Sequence, residues 1–140
     1  MVRGRKKQRL TDLMITIKRV TEFTELEGIR KLQKENLKPN LSEAEINSEG
    51  FVTAEYSLDF LQIMHEAGPS IIAKDGELVV GYALVADTSI CQLHDLLADL
   101  HNTINNTVYR GKLLKEARYV VVGQLCVSKH YRGMGLVQQM

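Results

Sequence analysis

Arg132, Gly133, Met134 and Gly135 follow an apolar run from Tyr119 to Val127 and a short Ser128-Lys129-His130-Tyr131 link, and they lead into Leu136 and Val137. This order predicts a strand that passes through a glycine-punctuated turn into the start of a helix, where unpaired main-chain N–H groups can receive an anion. Glycine suits the turn for two reasons. No Cβ blocks the approach of a phosphate, and the residue accepts the backbone angles that aim successive N–H groups inward. Arg132 adds a permanent positive charge beside them. The chemistry indicated is the binding of a phosphate-bearing ligand.

Two well-known phosphate loops do not match. A Walker loop ends in Gly-Lys-Ser/Thr, and the dinucleotide fingerprint needs a third glycine where this chain has Gln138. The stretch LCVSKHYRGMGLVQQM instead resembles the acyl-coenzyme A signature of the GNAT acetyltransferase superfamily, Gln/Arg-x-x-Gly-x-Gly/Ala, preceded by a strand ending in Val and a Ser-x-x-Tyr-like link. Arg132 takes the first place and Gly135 the fourth. Val137 takes the sixth, where the family carries Gly or Ala.

The resemblance implies an acetyl-coenzyme A-dependent N-acetyltransferase that passes an acetyl group from the thioester to a primary amine of a small molecule or peptide. It assigns the pyrophosphate to the amides of Gly133, Met134, Gly135, Leu136 and Val137, with Arg132 alongside. It assigns the pantetheine arm to the main chain of Leu125, Cys126 and Val127. No catalytic residue follows from it. Some members carry a Glu early in the fourth strand, near Val121 here, which cannot take a proton, and the Tyr that protonates the thiolate belongs to a helix beyond Met140. Glu55, Tyr56 and Glu77 remain as titratable candidates, each reading first as a surface or packing residue. The alternative function is a non-catalytic coenzyme A-binding or self-associating module.

The elements that must position these residues are legible in outline. Ile15 to Val20 alternates apolar and polar side chains, the period of a half-buried strand. Thr21 or Thr24 can cap a helix carrying Leu26, Ile29, Leu32 and Leu37 on one side and ending near Pro39. Ser42 and Glu45 have the spacing of a capping box. Ser57 to Ala67 reads as a further helix with Leu58, Leu61, Ile63 and Met64 turned mostly inward, stopped by Gly68-Pro69. Strands at Ser70 to Lys74 and Glu77 to Val85 flank Asp75-Gly76, a strong hairpin signal. Asp87 to Lys115 is mostly helical in pattern, a lid candidate or a packed surface segment. The expected fold class is α+β, and the resemblance specifies a GNAT-like mixed, mostly antiparallel sheet flanked by helices, matched from Ile15 to Met140.

Composition narrows the functional classes. With 140 residues, 44% hydrophobic and 25% charged, the chain has the makings of one globular domain at 14–140. The N-terminus lacks the apolar segment of a secretory signal, so a cytoplasmic, membrane-free protein is expected. Residues 1–13 carry Arg3, Arg5, Lys6, Lys7 and Arg9 against Asp12, and read as a solvated tail or a false translation start ahead of Met14. The remaining chain is mildly acidic, without the basic stripe that nucleic-acid binding needs. Cys91 and Cys126 are widely separated, and Cys126 reads as a small core residue. His94 and His101 fall near one face of a helix, yet no further ligands follow at metal spacing, and no metal is expected.

The resemblance also implies strands after the glycine turn, and these are absent from this chain, which ends at Met140. The fourth strand is then expected as an apolar edge with open N–H and C=O groups, a route to a homodimer. Truncation, completion by a second copy, and a fragment without catalysis are the three explanations, in that order.

Overall fold

A computed structural model describes residues 14–49 and 52–140. The basic stretch 1–13, read above as a tail or false start, lies outside the described residues.

Strands β1 (Ile15–Arg19), β2 (Ile71–Asp75), β3 (Leu78–Ala86) and β6 (Val121–Val127) form one sheet in the order β1-β2-β3-β6. Its three pairings are antiparallel. The mixed sheet of the sequence reading is thus antiparallel among the described strands, and parallel pairing is limited to an isolated bridge between Leu37 and Val52. The helices are α1 (Phe23–Asn36), α2 (Glu43–Glu49), α3 (Leu58–Ala67), α4 (Thr88–Cys91), α5 (Asp95–Asn105) and α6 (Leu136–Gln139), and β4 (Val108–Tyr109) pairs with β5 (Lys112–Leu113) as a separate ribbon. The fold class is α+β, an antiparallel sheet flanked by helices.

Helix α1 lays Leu26, Ile29 and Leu32 into the core against Tyr82, Leu84 and Ile72. Gly28 lets its backbone approach β3 closely: a Cβ there would lie 2.6 Å from Val79 Cγ2. Neither expected threonine caps the helix. Glu22 holds the cap position without a side-chain bond, because the Thr21 and Thr24 hydroxyls donate to the carboxylates of Glu25 and Glu22. The helix ends at Asn36, and Pro39 falls in a 3-10 turn, Lys38–Asn40. The Ser42 and Glu45 capping box forms, with Glu45 N–H on Ser42 Oγ and Ser42 N–H on Glu45 Oε1.

In α3, Leu61 and Met64 are buried, but Ile63 is 45% exposed, against expectation. Two residues past Leu61 the helix has turned about 200°, which carries Ile63 to the opposite face. The hairpin between β2 and β3 has its two-residue loop at Gly76-Glu77, one residue later than expected, with Gly76 at φ +58°. The largest departure is in residues 87–115, where helix gives way after Asn105 to the β4-β5 ribbon. Arg110 and Gly111 both adopt positive φ, 51° and 78°, the pattern of a tight type I′ hairpin turn, which flanking Val108 and Tyr109 favour over helix.

The sheet has two unequal sides. One packs under α1, α3, α4 and α5 in a large cluster. The other is covered by a smaller group, Leu136 of α6 with Ala73 and Val80, joined by Ile15, Ile17, Val127, Tyr131, Met134 and Met140. No helix among the described residues is long and apolar enough to cross a membrane.

Candidate functional site

Strand β6 ends the sheet order, so its outer side has no partner strand among the described residues. Its apolar sequence suggests a fully buried strand; instead Val122 and Leu125 are 59% and 44% exposed. The strand carries a bulge: Leu84 pairs with Gln124 and Val85 with Val122, which leaves Gly123 as the extra residue. Gly123 and Gln124 therefore both turn to the helix side. A Cβ on Gly123 would meet Leu97 Cδ2 at 3.4 Å, and Gln124 reaches across to α1.

Beyond the bulge the ladder is regular. Ser128 N–H donates to Val80 O at 2.8 Å, so antiparallel alternation turns the main-chain groups of Val127 and Leu125 to the open edge and those of Cys126 toward β3. The Cys126 carbonyl lies 3.4 Å from the place a Cβ on Gly81 would take, in keeping with that direction. Of the three residues expected to pair with pantetheine, Leu125 and Val127 thus face outward and Cys126 does not. Cys126 is the core residue expected from sequence, and burial pushes its thiol up to about 11.

After Ser128 the chain makes a 3-10 turn, Lys129–Tyr131, then runs through Gly133 (φ +74°) and Gly135 (φ +75°) into α6. These left-handed angles are strained for any residue with a side chain, which explains both glycines physically. Contacts of Tyr131 and Arg132 help to hold the loop. Tyr131 donates its hydroxyl to Asp75 Oδ2 at 2.7 Å, Arg132 Nε donates to Val127 O at 2.9 Å, and Arg132 Nη2 donates to Asn36 Oδ1 at 2.9 Å. Leu136 is buried under the sheet, while Val137 is half-exposed. A groove of about 390 Å³ opens here, walled by Val127, Arg132, Gly133, Gly135, Val137 and Gln138.

A second groove of about 260 Å³ lies at the bulge end of β6, between Ala54, Tyr56, Leu96, Leu100, Gly123 and Leu125. From Gly123 to Val127 the strand spans about 13 Å, so the two grooves lie along one open edge. Among the base candidates only Tyr56 reaches this groove: it is buried, its hydroxyl donates to Gly123 O at 3.4 Å, and burial raises its pKa above the ordinary phenol value. Glu55 is ion-paired with Arg30 at 2.6 Å. Glu77 is 98% exposed in the β2-β3 turn beside Lys74. Val121, where the resemblance implies an acidic residue in some members, is buried.

The histidines do not converge. His94 precedes α5 with its ring edge-on to Tyr56 at 5.0 Å, and His101 is buried within α5 beside Asn105. Among the described residues no group of three His, Cys, Asp or Glu is placed to hold a metal ion.

Sequence reading missed the polar residues that anchor this edge. Gln33, Tyr82 and Gln124 meet in a part-buried network, while the buried Asn36 is bonded separately to Arg132 and Leu32. Tyr82 hydroxyl and Gln33 Nε2 both donate to Gln124 Oε1, at 2.7 and 3.0 Å, and Gln124 Nε2 donates to Ala54 O at 2.9 Å. The available signal was Gln33 at i+4 from Ile29 on the apolar stripe, and Gln124 as the one polar residue inside the apolar run. No family model matches the chain, and no curated protein or solved structure matches it either.

Proposed function

We propose that this chain carries an acetyl-coenzyme A-dependent N-acetyltransferase site of the GNAT type, acting on a primary amine. The observation that carries the reading is the open edge of β6, which joins the glycine loop at Arg132 to Gly135 with the groove at the Gly123 bulge. The loop suits a pyrophosphate: neither glycine presents a Cβ, and a Cβ placed on Gly135 would meet only Gln138 Oε1 at 3.8 Å, so the approach is open. Arg132 contributes charge beside the amides of Gly133 to Val137. Val137, in the position where the family has Gly or Ala, forms a wall of that groove and does not cross it.

When bound, acetyl-coenzyme A supplies an activated acyl carbon to an attacking amine. The chain's own part is to hold and orient. Leu125 and Val127 present main-chain groups along the edge, and an N–H there can polarise a carbonyl oxygen. Tyr56 shapes the far groove, and burial raises its pKa above the ordinary phenol value, so its hydroxyl stays protonated at neutral pH. Positioning of this kind converts a two-body encounter into a local attack and accounts for much of the rate in such reactions.

The test is calorimetric titration of acetyl-coenzyme A into the chain and into an Arg132→Glu, Gly135→Asp double variant. Saturable binding by the parent and loss in the variant is expected; equal affinity for both would sink the assignment. A second reading, a self-associating module, is favoured by the exposure of Val120, Val122 and Leu125 at the same edge.

A further inference from the structure

Arg30, Gln33 and Asn36 follow one another at steps of three residues in α1, which places them in one row on the side facing β6. Gln33 and Asn36 reach different parts of the candidate site, and Arg30 braces Gln33. Arg30 pairs with Glu55 and donates Nη1 to Gln33 Oε1 at 3.2 Å. Gln33 accepts the Tyr56 N–H at 3.0 Å and donates to Gln124, the residue beside the bulge. Asn36 accepts from Arg132, and its own Nδ2 is fixed on Leu32 O at 2.9 Å.

Gln33 is fully buried, and a buried amide is tolerated only when its donors and acceptors are used. Here both Gln33 atoms are used on the groove at the bulge end. Gln33 and Asn36 stand about 4.5 Å apart along the helix, and their side chains reach Gln124 and Arg132 at the two ends of the edge. A helix is stiff over that distance, so contacts at its two ends set a spacing that a lone loop could not hold.

We infer that this row is a positioning device: Gln33 sets the Gly123-Gln124 bulge and Asn36 sets the Arg132 guanidinium, so that α1 holds the two ends of the binding edge in register. What the two ends bind rests on the acyl-coenzyme A reading above; the row itself does not depend on it. Gln33 and Asn36 touch Gln124 and Arg132 and are positioning residues.

The test uses Gln33→Leu, close in volume, and Asn36→Ala at the far end, each read by amide and guanidinium NMR without ligand and by acetyl-coenzyme A affinity. Gln33→Leu is expected to shift the Gly123, Gln124 and Leu125 amides. Asn36→Ala is expected to shift the Arg132 Nε–H and leave Gly123 in place. Each should weaken acetyl-coenzyme A binding about tenfold, the scale of one lost hydrogen bond to a charged or buried group. Ile72→Val, a core substitution outside the row, should leave both signals and the affinity unchanged. Unmoved Gly123 and Arg132 signals in the two variants overturn the inference, as does unchanged affinity when the parent chain binds. A parent that does not bind acetyl-coenzyme A overturns the proposed function instead, and the ligand-free signals then decide the row alone. If Gln33→Leu does not fold, Asn36→Ala gives the same decision at the Arg132 end.

Discussion

The helix-covered face of the sheet and the open edge of β6 differ in what they do with polar groups. On the helix side, the buried Gln33 and Tyr82 both donate to the part-buried Gln124. On the edge of β6 and in the loop that follows, main-chain groups are turned outward, and Val122 and Leu125 stand in solvent. The first arrangement stabilises by burial, with its polar atoms bonded within the protein. The second contributes little to stability and, apart from the Val127 carbonyl that Arg132 already holds, keeps its hydrogen-bonding capacity for something that arrives. The difference teaches that in this chain stability and binding belong to opposite sides of the same strand, with Gln124 as the bolt between them.

Three experiments would break or sharpen that comparison. The largest effect is expected from Leu61→Ala on the helix side, where a fully buried leucine leaves a cavity and stability falls by about 3 kcal/mol, read from urea midpoints. A loss well below 1 kcal/mol would mean the helix side is not the stabilising one.

The second effect is a pH dependence. The folded Cys126 thiol, pushed up to about 11, keeps its proton, whereas the unfolded chain begins to lose it near 9. Its contribution is therefore complete below pH 9 and is lost as the pH rises toward 11, on the order of 2 kcal/mol. Burial raises Tyr82 as well, so its hydroxyl acts in the same direction at still higher pH. The gap between urea midpoints at pH 8 and pH 10.5 should narrow in Cys126→Ala, where the Cys91 thiol and the Tyr56 and Tyr82 hydroxyls, each raised by burial, retain a smaller pH dependence; an unchanged gap would refute the assignment to Cys126.

The smallest stability effect is expected at the open edge. Val122→Lys should change unfolding free energy by less than about 0.5 kcal/mol, because the side chain is exposed. If the edge pairs with another copy, the same change lowers the solution mass to that of one chain, since a charge at an edge strand opposes strand addition. A monomeric parent would remove the self-association reading.

Much of this was legible before the structure. Periodicity located β1, α1 and α3, the Ser42 and Glu45 spacing announced its capping box, and Gly133 and Gly135 marked a loop that does adopt left-handed angles. These are short-range features, in which a few neighbouring residues decide their own backbone. What stayed hidden depends on partners far along the chain. The Gly123 bulge needs β3 opposite it, the exposure of Val122 and Leu125 needs the strand order, and the Arg132 contact needs Asn36, 96 residues away.

The β4-β5 ribbon is an intermediate case. Arg110-Gly111 is a local turn signal, but it was outweighed by the helical pattern of the residues before it. By itself, then, the sequence determined which residues form elements, where the turns fall and that a glycine loop follows an apolar strand. Only the tertiary structure decided that this strand lies at an edge, that two of its residues expose main-chain groups there, and that α1 braces it through buried amides. The physical reason is that hydrogen bonds and burial between distant segments are set by the sheet's order, which no local pattern encodes.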